Sequence, residues 1–162
     1  MNIVLVRVDD RFIHGQILES WIPFLKAQTV IVANDALAQD QFQMTIMSMA
    51  IPERILLRIV SVADVADLLN DHDLDGKRTL VIVSTIKDAY TLFTSGIHYE
   101  SLNLGNNKAT QDSRQISYSV WIHEHDNEKL KALMMKGVEV VLQSVPRERP
   151  VDMRSILSTG VA

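Results

Sequence analysis

An α/β fold is predicted: one open, mainly parallel, twisted sheet of about seven strands with helices on both faces. Two observations carry this expectation. Short apolar runs rich in Val, Ile and Leu alternate with amphipathic stretches of about ten residues, the pattern of successive βαβ units. Several of the apolar runs end in small polar clusters of Asp, Asn, Ser or Thr, which suit turns at the carboxyl ends of parallel strands. No repeat, low-complexity tract or coiled-coil heptad competes with this reading.

Taken in order, residues 2–8 form a buried strand. Over residues 15–26, Ile17, Leu18, Trp21 and Leu25 fall on one helical face. Residues 29–33 are a second strand ended by Asn34-Asp35. Phe42, Ile46, Met49 and Ala50 then repeat the helical spacing until Pro52 stops it. Residues 54–60 give a third strand. Ser61 with Asp64 resembles a helix N-cap with an acid in the first turn, ahead of a stripe of Val65, Leu68 and Leu69. Residues 70–77 are a polar loop, and residues 79–83 a fourth strand. After Ser84-Thr85 comes a helix carrying Ala89, Leu92 and Phe93, closed by Gly96. Residues 101–104 make a short fifth strand, residues 108–115 an irregular stretch, and residues 116–122 a sixth strand. Asp126 caps a helix with Leu130, Leu133 and Met134, ended by Gly137. Residues 138–142 are the last strand, and residues 151–157 one or two terminal helical turns.

The 162 residues fit one domain, residues 1–162, large enough to bury a core. Hydrophobic residues make up 47% and charged residues 22%, a globular composition. A net charge of −4 argues against a broad nucleic-acid surface. There are no cysteines, which excludes disulfides, thiolate metal sites and cysteine nucleophiles. No apolar run reaches the roughly 20 residues of a membrane helix, and residue 1 does not open a signal-peptide layout. The expected location is the cytoplasm.

The densest chemistry follows the first strand, in Arg7-Val8-Asp9-Asp10-Arg11-Phe12-Ile13-His14-Gly15-Gln16. A strand, a polar turn and a helix place His14 at a turn-to-helix junction, where backbone N–H groups and the helix dipole favour an anion. Imidazole is a good nucleophile near neutral pH. An acid such as Asp10 can accept a hydrogen bond from one ring nitrogen and leave the other to attack. Arg11 offers a fork of donors for phosphate oxygens, and Arg7 can add to it. Gly15 and Gln16 lie where the helix begins. If the fourth strand lies beside the first, Ser84 and Thr85 face His14 across the crevice where chain direction reverses, with hydroxyls for phosphate oxygens. The plainer alternative is that Asp9 and Asp10 only cap, Arg7 lies on the surface, and His14 is an exposed junction residue.

Other groupings are weaker. His123 and His125 sit two apart, without a convincingly spaced third ligand, so no metal is expected. His72 and His98 read as loop residues. Gly105-Asn106-Asn107 is too sparse for a dinucleotide fingerprint. Met44, Met47 and Met49 suit helix packing better than a cofactor box.

The motif from Val8 to Gln16, with Trp21 after it, closely resembles the signature of the IIB component of the mannose/fructose/sorbose family of bacterial sugar phosphotransferase systems. The likeness continues through Val32-Ala33-Asn34-Asp35, Asn103-Leu104-Gly105-Asn106, and Gly137-Val138 with Gln143-Ser144-Val145-Pro146. It spans nearly the whole chain. Phe12, where leucine is common, and Leu104-Gly105-Asn106-Asn107 are small departures. The resemblance implies a mainly parallel seven-stranded sheet and makes His14 the phosphorylated histidine. It implies a phosphoryl group taken from a histidine of a IIA protein and passed to a sugar entering through membrane components IIC and IID. No cofactor is implied. A phosphorylatable binding module that regulates a partner is the alternative. A hydrolase using Asp9, Asp10 and His14 with a metal is a third reading. Phe12 and Ile13 either present a docking surface for partners or pack beneath the turn.

Overall fold

A computed structural model of the chain describes residues 1–158. Strand β1 (Asn2–Asp9) leads through the polar turn into a π-helical turn over Ile17–Trp21 and a short α-helix, α1 (Ile22–Leu25). Then come β2 (Thr29–Ala33), α2 (Gln41–Ala50), β3 (Leu56–Val60) and β4 (Arg78–Val83). They are followed by α3 (Ile86–Thr94), β5 (Ser101–Asn106), β6 (Arg114–Ser117), β7 (Val120–Ile122) and α4 (Glu124–Met135). The described chain ends with β8 (Glu139–Leu142), β9 (Val151–Asp152) and α5 (Met153–Ser158).

Seven strands form one sheet in the order β3-β2-β4-β1-β5-β8-β9, parallel except for β9. The chain leaves β1 toward β2 on one side and leaves β4 toward β5 on the other. Direction therefore reverses between the carboxyl ends of β1 and β4, the place where open α/β sheets bind ligands. The expected adjacency of first and fourth strands holds, with Val8 beside Val83.

Strand side chains alternate between faces, and each face has its own core. Val6, Val8, Ile31, Ala33, Val81, Val83, Leu102 and Leu104 pack with α3 and α4. Leu5, Val30, Val32, Leu80 and Ile82 pack with Ile17, Trp21 and Ile22. The same alternation assigns Arg7 and Asp9 to the face that Trp21 covers, with Asn103 paired to Arg7 on β5 and Gly105 two residues further along that strand. A polar band thus runs through the middle of an otherwise apolar layer.

Several sequence expectations need correction. In α2 the stripe Phe42, Ile46 and Met49 points outward, with Phe42 72% and Met49 82% exposed. The helix contains a second apolar spacing, Met44, Met47 and Ile51, and this one turns inward: Met47 packs on the core and Ile51 is buried. Residues Ala63–Asn70 form a 3₁₀ helix. Three residues per turn align Val62, Val65 and Leu68 and leave Leu69 half exposed. The predicted loop over residues 70–77 contains another 3₁₀ turn, His72–Leu74. The predicted sixth strand is a separate antiparallel hairpin, β6-β7, which turns at Tyr118-Ser119. The seventh strand of the sheet is instead β9, inside the stretch read as helical turns. For α4 the N-cap residue is His123, and Asp126 serves from the third helical position by accepting the His123 backbone N–H at 2.8 Å.

Candidate active site

At the carboxyl end of β1 the backbone turns on itself, with Phe12 N–H donating to the Asp9 carbonyl at 3.2 Å. Phe12 takes a left-handed conformation, φ 57°, a costly one for a bulky side chain. Its side chain and that of Ile13, both half-buried, pack against the core on the Trp21 face. This fold of the turn swings His14 back over the end of its own strand. The His14 side chain is 9% exposed, and its Nε2 lies 2.8 Å from Asp9 Oδ2.

Asp9, not Asp10, holds the histidine. Its second oxygen accepts the Arg11 backbone N–H at 3.1 Å, and Oδ2 also receives Arg7 Nε–H at 3.1 Å. Burial alone would push the Asp9 carboxyl up; the His14 hydrogen bond and the Arg7 charge together outweigh it and hold the group below its ordinary value. Asp9 is therefore a carboxylate near neutral pH. A carboxylate only accepts, so a neutral His14 carries its proton on Nε2 and keeps the lone pair on Nδ1. Nδ1 is buried and has no hydrogen-bond partner among the described residues. A partnerless buried nitrogen costs stability, and here it is the nitrogen free to act as nucleophile.

Arg7 is fully buried, which overturns the reading of it as a surface residue. Besides Asp9, Nη1 donates to Asn103 Oδ1 and to the Gln143 carbonyl at 2.9 Å, and Nη2 donates to the Ser144 carbonyl at 3.0 Å. Its Cζ lies 5.0 Å from the Trp21 ring centroid, a cation–π distance. Burial pushes the guanidinium down and Asp9 pulls it back in part; an arginine so paired stays cationic.

The other expected residues divide. Asp10 turns away from the ring, accepting from Asn106 Nδ2 at 3.2 Å and from Lys108 N–H at 2.8 Å, because β5 runs on to Asn106 beside it. Arg11 is exposed at the turn, and Gly15 and Gln16 start the helical backbone. A Cβ on Gly15 would meet nothing within 4 Å, so no steric demand explains that glycine. Ser84 and Thr85 do lie at the switch point, but their hydroxyls are engaged locally. Ser84 Oγ takes the Asn34 amide at 3.0 Å and donates to Asp88 at 3.2 Å; Thr85 Oγ1 caps α3 by accepting Asp88 N–H at 3.0 Å. Both border a cavity of about 260 Å³ shared with Asp10, Asn107, Lys108 and Trp121.

His123, His125 and Asp126 cluster with ligand atoms within 4.8 Å of one another, so Asp126 supplies the third group that spacing did not reveal. The two imidazoles are stacked, 4.9 Å apart and 15° from parallel. Their in-plane lone pairs run side by side and do not converge on one point, as a tetrahedral ion requires.

Sequence reasoning missed Asp9 as the partner of His14, and it missed Arg7, Trp21 and Asn103 as its surroundings. The signal was the period-two pattern of β1: Leu5, Arg7 and Asp9 share one face, the one the following helix must cover.

The geometry defines an α/β protein that presents a carboxylate-oriented histidine at the switch point of its sheet. Residues 3–161 match the family described as the PTS system sorbose subfamily IIB component, and the chain belongs to that family, whose members transfer phosphoryl groups in sugar uptake. It is 35% identical over 156 residues to the N-acetylgalactosamine-specific phosphotransferase enzyme IIB component 2 of Escherichia coli, covering 96% of this chain and 99% of that one. It is 34% identical over 157 residues to the fructose-specific EIIB component of Bacillus subtilis, covering 97% and 96%. Among solved structures it resembles a PTS-dependent N-acetyl-galactosamine IIB component from Streptococcus pyogenes, with a TM-score of 0.86, 31% identity and coverage of 96% and 97%. No helix among the described residues is long and apolar enough to cross a membrane.

Proposed function

We propose that His14 is the phosphoryl carrier and that Nδ1 is the atom that holds the phosphate. The observation that carries this reading is the Asp9–His14 hydrogen bond at 2.8 Å, which ties up Nε2 and leaves Nδ1 with no partner. In the first half-reaction Nδ1 attacks the phosphorus of a IIA phosphohistidine. The new N–P bond forms as the donor's N–P bond breaks, and that electron pair returns to the donor imidazole. Nε2 keeps its proton, and Asp9 stabilises the positive charge that develops on the ring. In the second half-reaction a sugar hydroxyl held by the membrane components IIC and IID attacks the phosphorus: the new O–P bond forms as the Nδ1–P bond breaks, the electron pair returns to Nδ1, and the hydroxyl proton passes to a basic group of those components or to water. The chain is thus a protein-phosphohistidine–sugar phosphotransferase that works at the cytoplasmic surface, docking peripherally on the membrane components.

Phosphoryl transfer asks mainly for positioning and charge, so a short turn suffices for the site. Arg11, exposed beside the ring, is the cation we assign to the phosphate oxygens, with the backbone at Gly15 and Gln16 as further donors. The resting ring is mostly covered, which keeps water from the carrier; partner docking has to bring Nδ1 into the open. The test is incubation with phosphoenolpyruvate, the general phosphocarrier proteins and a IIA protein, followed by intact-mass analysis. One acid-labile phosphoryl group is expected on the native chain and none on His14→Ala; label retained by His14→Ala overturns the assignment.

A further inference from the structure

Gly105 lies on β5, one strand away from the turn, and its reason for being glycine is specific. A Cβ built there would sit 2.0 Å from Arg7 Cζ, 2.2 Å from Nη1 and 2.3 Å from Nη2. The guanidinium occupies the space that any other residue's side chain would need. It cannot give way cheaply, because Asn103, the Gln143 and Ser144 carbonyls and Asp9 hold it from several sides. The other side is closed by Trp21, whose Nε1–H donates to the same Ser144 carbonyl at 2.9 Å. That carbonyl is itself fixed: Ser144 N–H donates to Glu148 Oε2 at 3.2 Å, and Gln143 Nε2 donates to the Glu148 carbonyl at 2.8 Å.

We infer that Gly105, Asn103 and the Gln143–Ser144 carbonyls form a positioning frame that acts on His14 through Arg7 and Asp9. The frame clamps the Arg7 guanidinium in one orientation; Arg7 fixes Asp9 Oδ2; Asp9 fixes the tautomer and tilt of the imidazole. Among the described residues the hydrogen-bond partner of the His14 ring is Asp9 and not a frame residue. They come from β5 and from the segment after β8, so the chemistry of a turn in the first tenth of the chain depends on backbone more than 130 residues away. The frame also accounts for Asn103, a fully buried polar residue between Leu102 and Leu104, whose Oδ1 serves Arg7. The inference rests on His14 as the carrier for its kinetic consequence, but not for its structural one.

The test reads the frame directly by ¹⁵N NMR of the His14 ring, in unphosphorylated protein, in three variants: Gly105→Ala, Asn103→Ala and Trp21→Phe. Native protein is expected to show Nε2 protonated and Nδ1 bare. Gly105→Ala should displace the guanidinium, mix the two tautomers and slow phosphoryl transfer from IIA on the order of 100-fold, the scale of a misplaced reacting group. Asn103→Ala, which opens space where Gly105→Ala fills it, should move the same signals in the same direction by less. Trp21→Phe keeps an aromatic face under Arg7 but removes the five-membered ring with the Nε1–H that holds the Ser144 carbonyl, and should have the smallest effect. A general loss of packing would lower the melting temperature without changing the tautomer ratio of folded molecules. If folded Asn103→Ala and Trp21→Phe both keep the native ratio and rate, the frame is not a positioning device, whatever Gly105→Ala does. Should the native chain instead take no phosphate on His14, the proposed carrier role fails while the tautomer result still decides the frame.

Discussion

The turns after β1 and after β4 lie side by side at the same edge of the same sheet, and both are short and polar. Their polar groups nevertheless do opposite things. After β4, Thr85 caps α3 within its own turn, and Ser84 joins Asp88 to Asn34 at the end of the neighbouring β2. After β1, Asp9 and Arg7 are fully buried and reach across to β5 and the segment after β8, and the network ends on His14, whose buried Nδ1 has no partner among the described residues. Position at a switch point makes a site possible; what sets one of these turns apart is a buried charge pair whose cost is tolerated. Burying two ions costs several kcal/mol each before pairing. Such a cost persists where it orients something.

That contrast can be broken by substitution. His14→Ala is expected to abolish phosphorylation entirely while the chain stays folded, as seen by circular dichroism. Asp9→Asn should leave Arg7 as an uncompensated buried cation, lowering stability by about 3–5 kcal/mol in urea unfolding. It should also slow transfer on the order of 100-fold, by replacing the carboxylate that orients and stabilises the ring with a neutral amide. Thr85→Ala should cost about 1 kcal/mol for the lost helix cap and leave the transfer rate unchanged. A large rate loss in Thr85→Ala would return that hydroxyl to the phosphate site. The smallest effect is expected of Phe42→Ser on the outward face of α2, within about 0.5 kcal/mol of the native stability.

Acid sharpens the same comparison. The Asp9 carboxyl is held below its ordinary value in the folded protein, so the unfolded chain binds its proton first as pH falls. Its contribution to stability is fully present above about pH 4, the ordinary carboxylate range, and is lost as pH drops through the folded value. Urea midpoints of native protein and Asp9→Asn should therefore converge below that range. A gap that stays constant down to pH 3 would mean that Asp9 is not the titrating contact.

Much of this was legible in the sequence. The βαβ alternation follows from local signals that the structure preserves; the adjacency of the first and fourth strands entered only as a condition, which the sheet order meets, and the sequence singled out His14 by its place between strand and helix. Pattern shows that a face is apolar, but not which of two apolar faces the tertiary structure covers. In α2 both Phe42-Ile46-Met49 and Met44-Met47-Ile51 fit a helical stripe, and only the sheet below decides. The hairpin at residues 114–122 escaped because two short strands with a polar turn mimic one weakly alternating strand. At the site, Asp10 was the natural partner by proximity in sequence. Asp9 wins because strand alternation turns it toward the Trp21 face, beside Arg7. Gly105 could not be read at all, since its constraint is a guanidinium delivered from another strand.

The most direct test of the central claim is ³¹P–¹⁵N correlation NMR of the chain phosphorylated by a IIA protein with labelled histidine. The account predicts a single phosphohistidine, at residue 14, with phosphorus bonded to Nδ1 and the proton retained on Nε2. Phosphorus on Nε2 would mean that the ring abandons Asp9 before it reacts, and would contradict the role given to the Arg7–Asp9 pair.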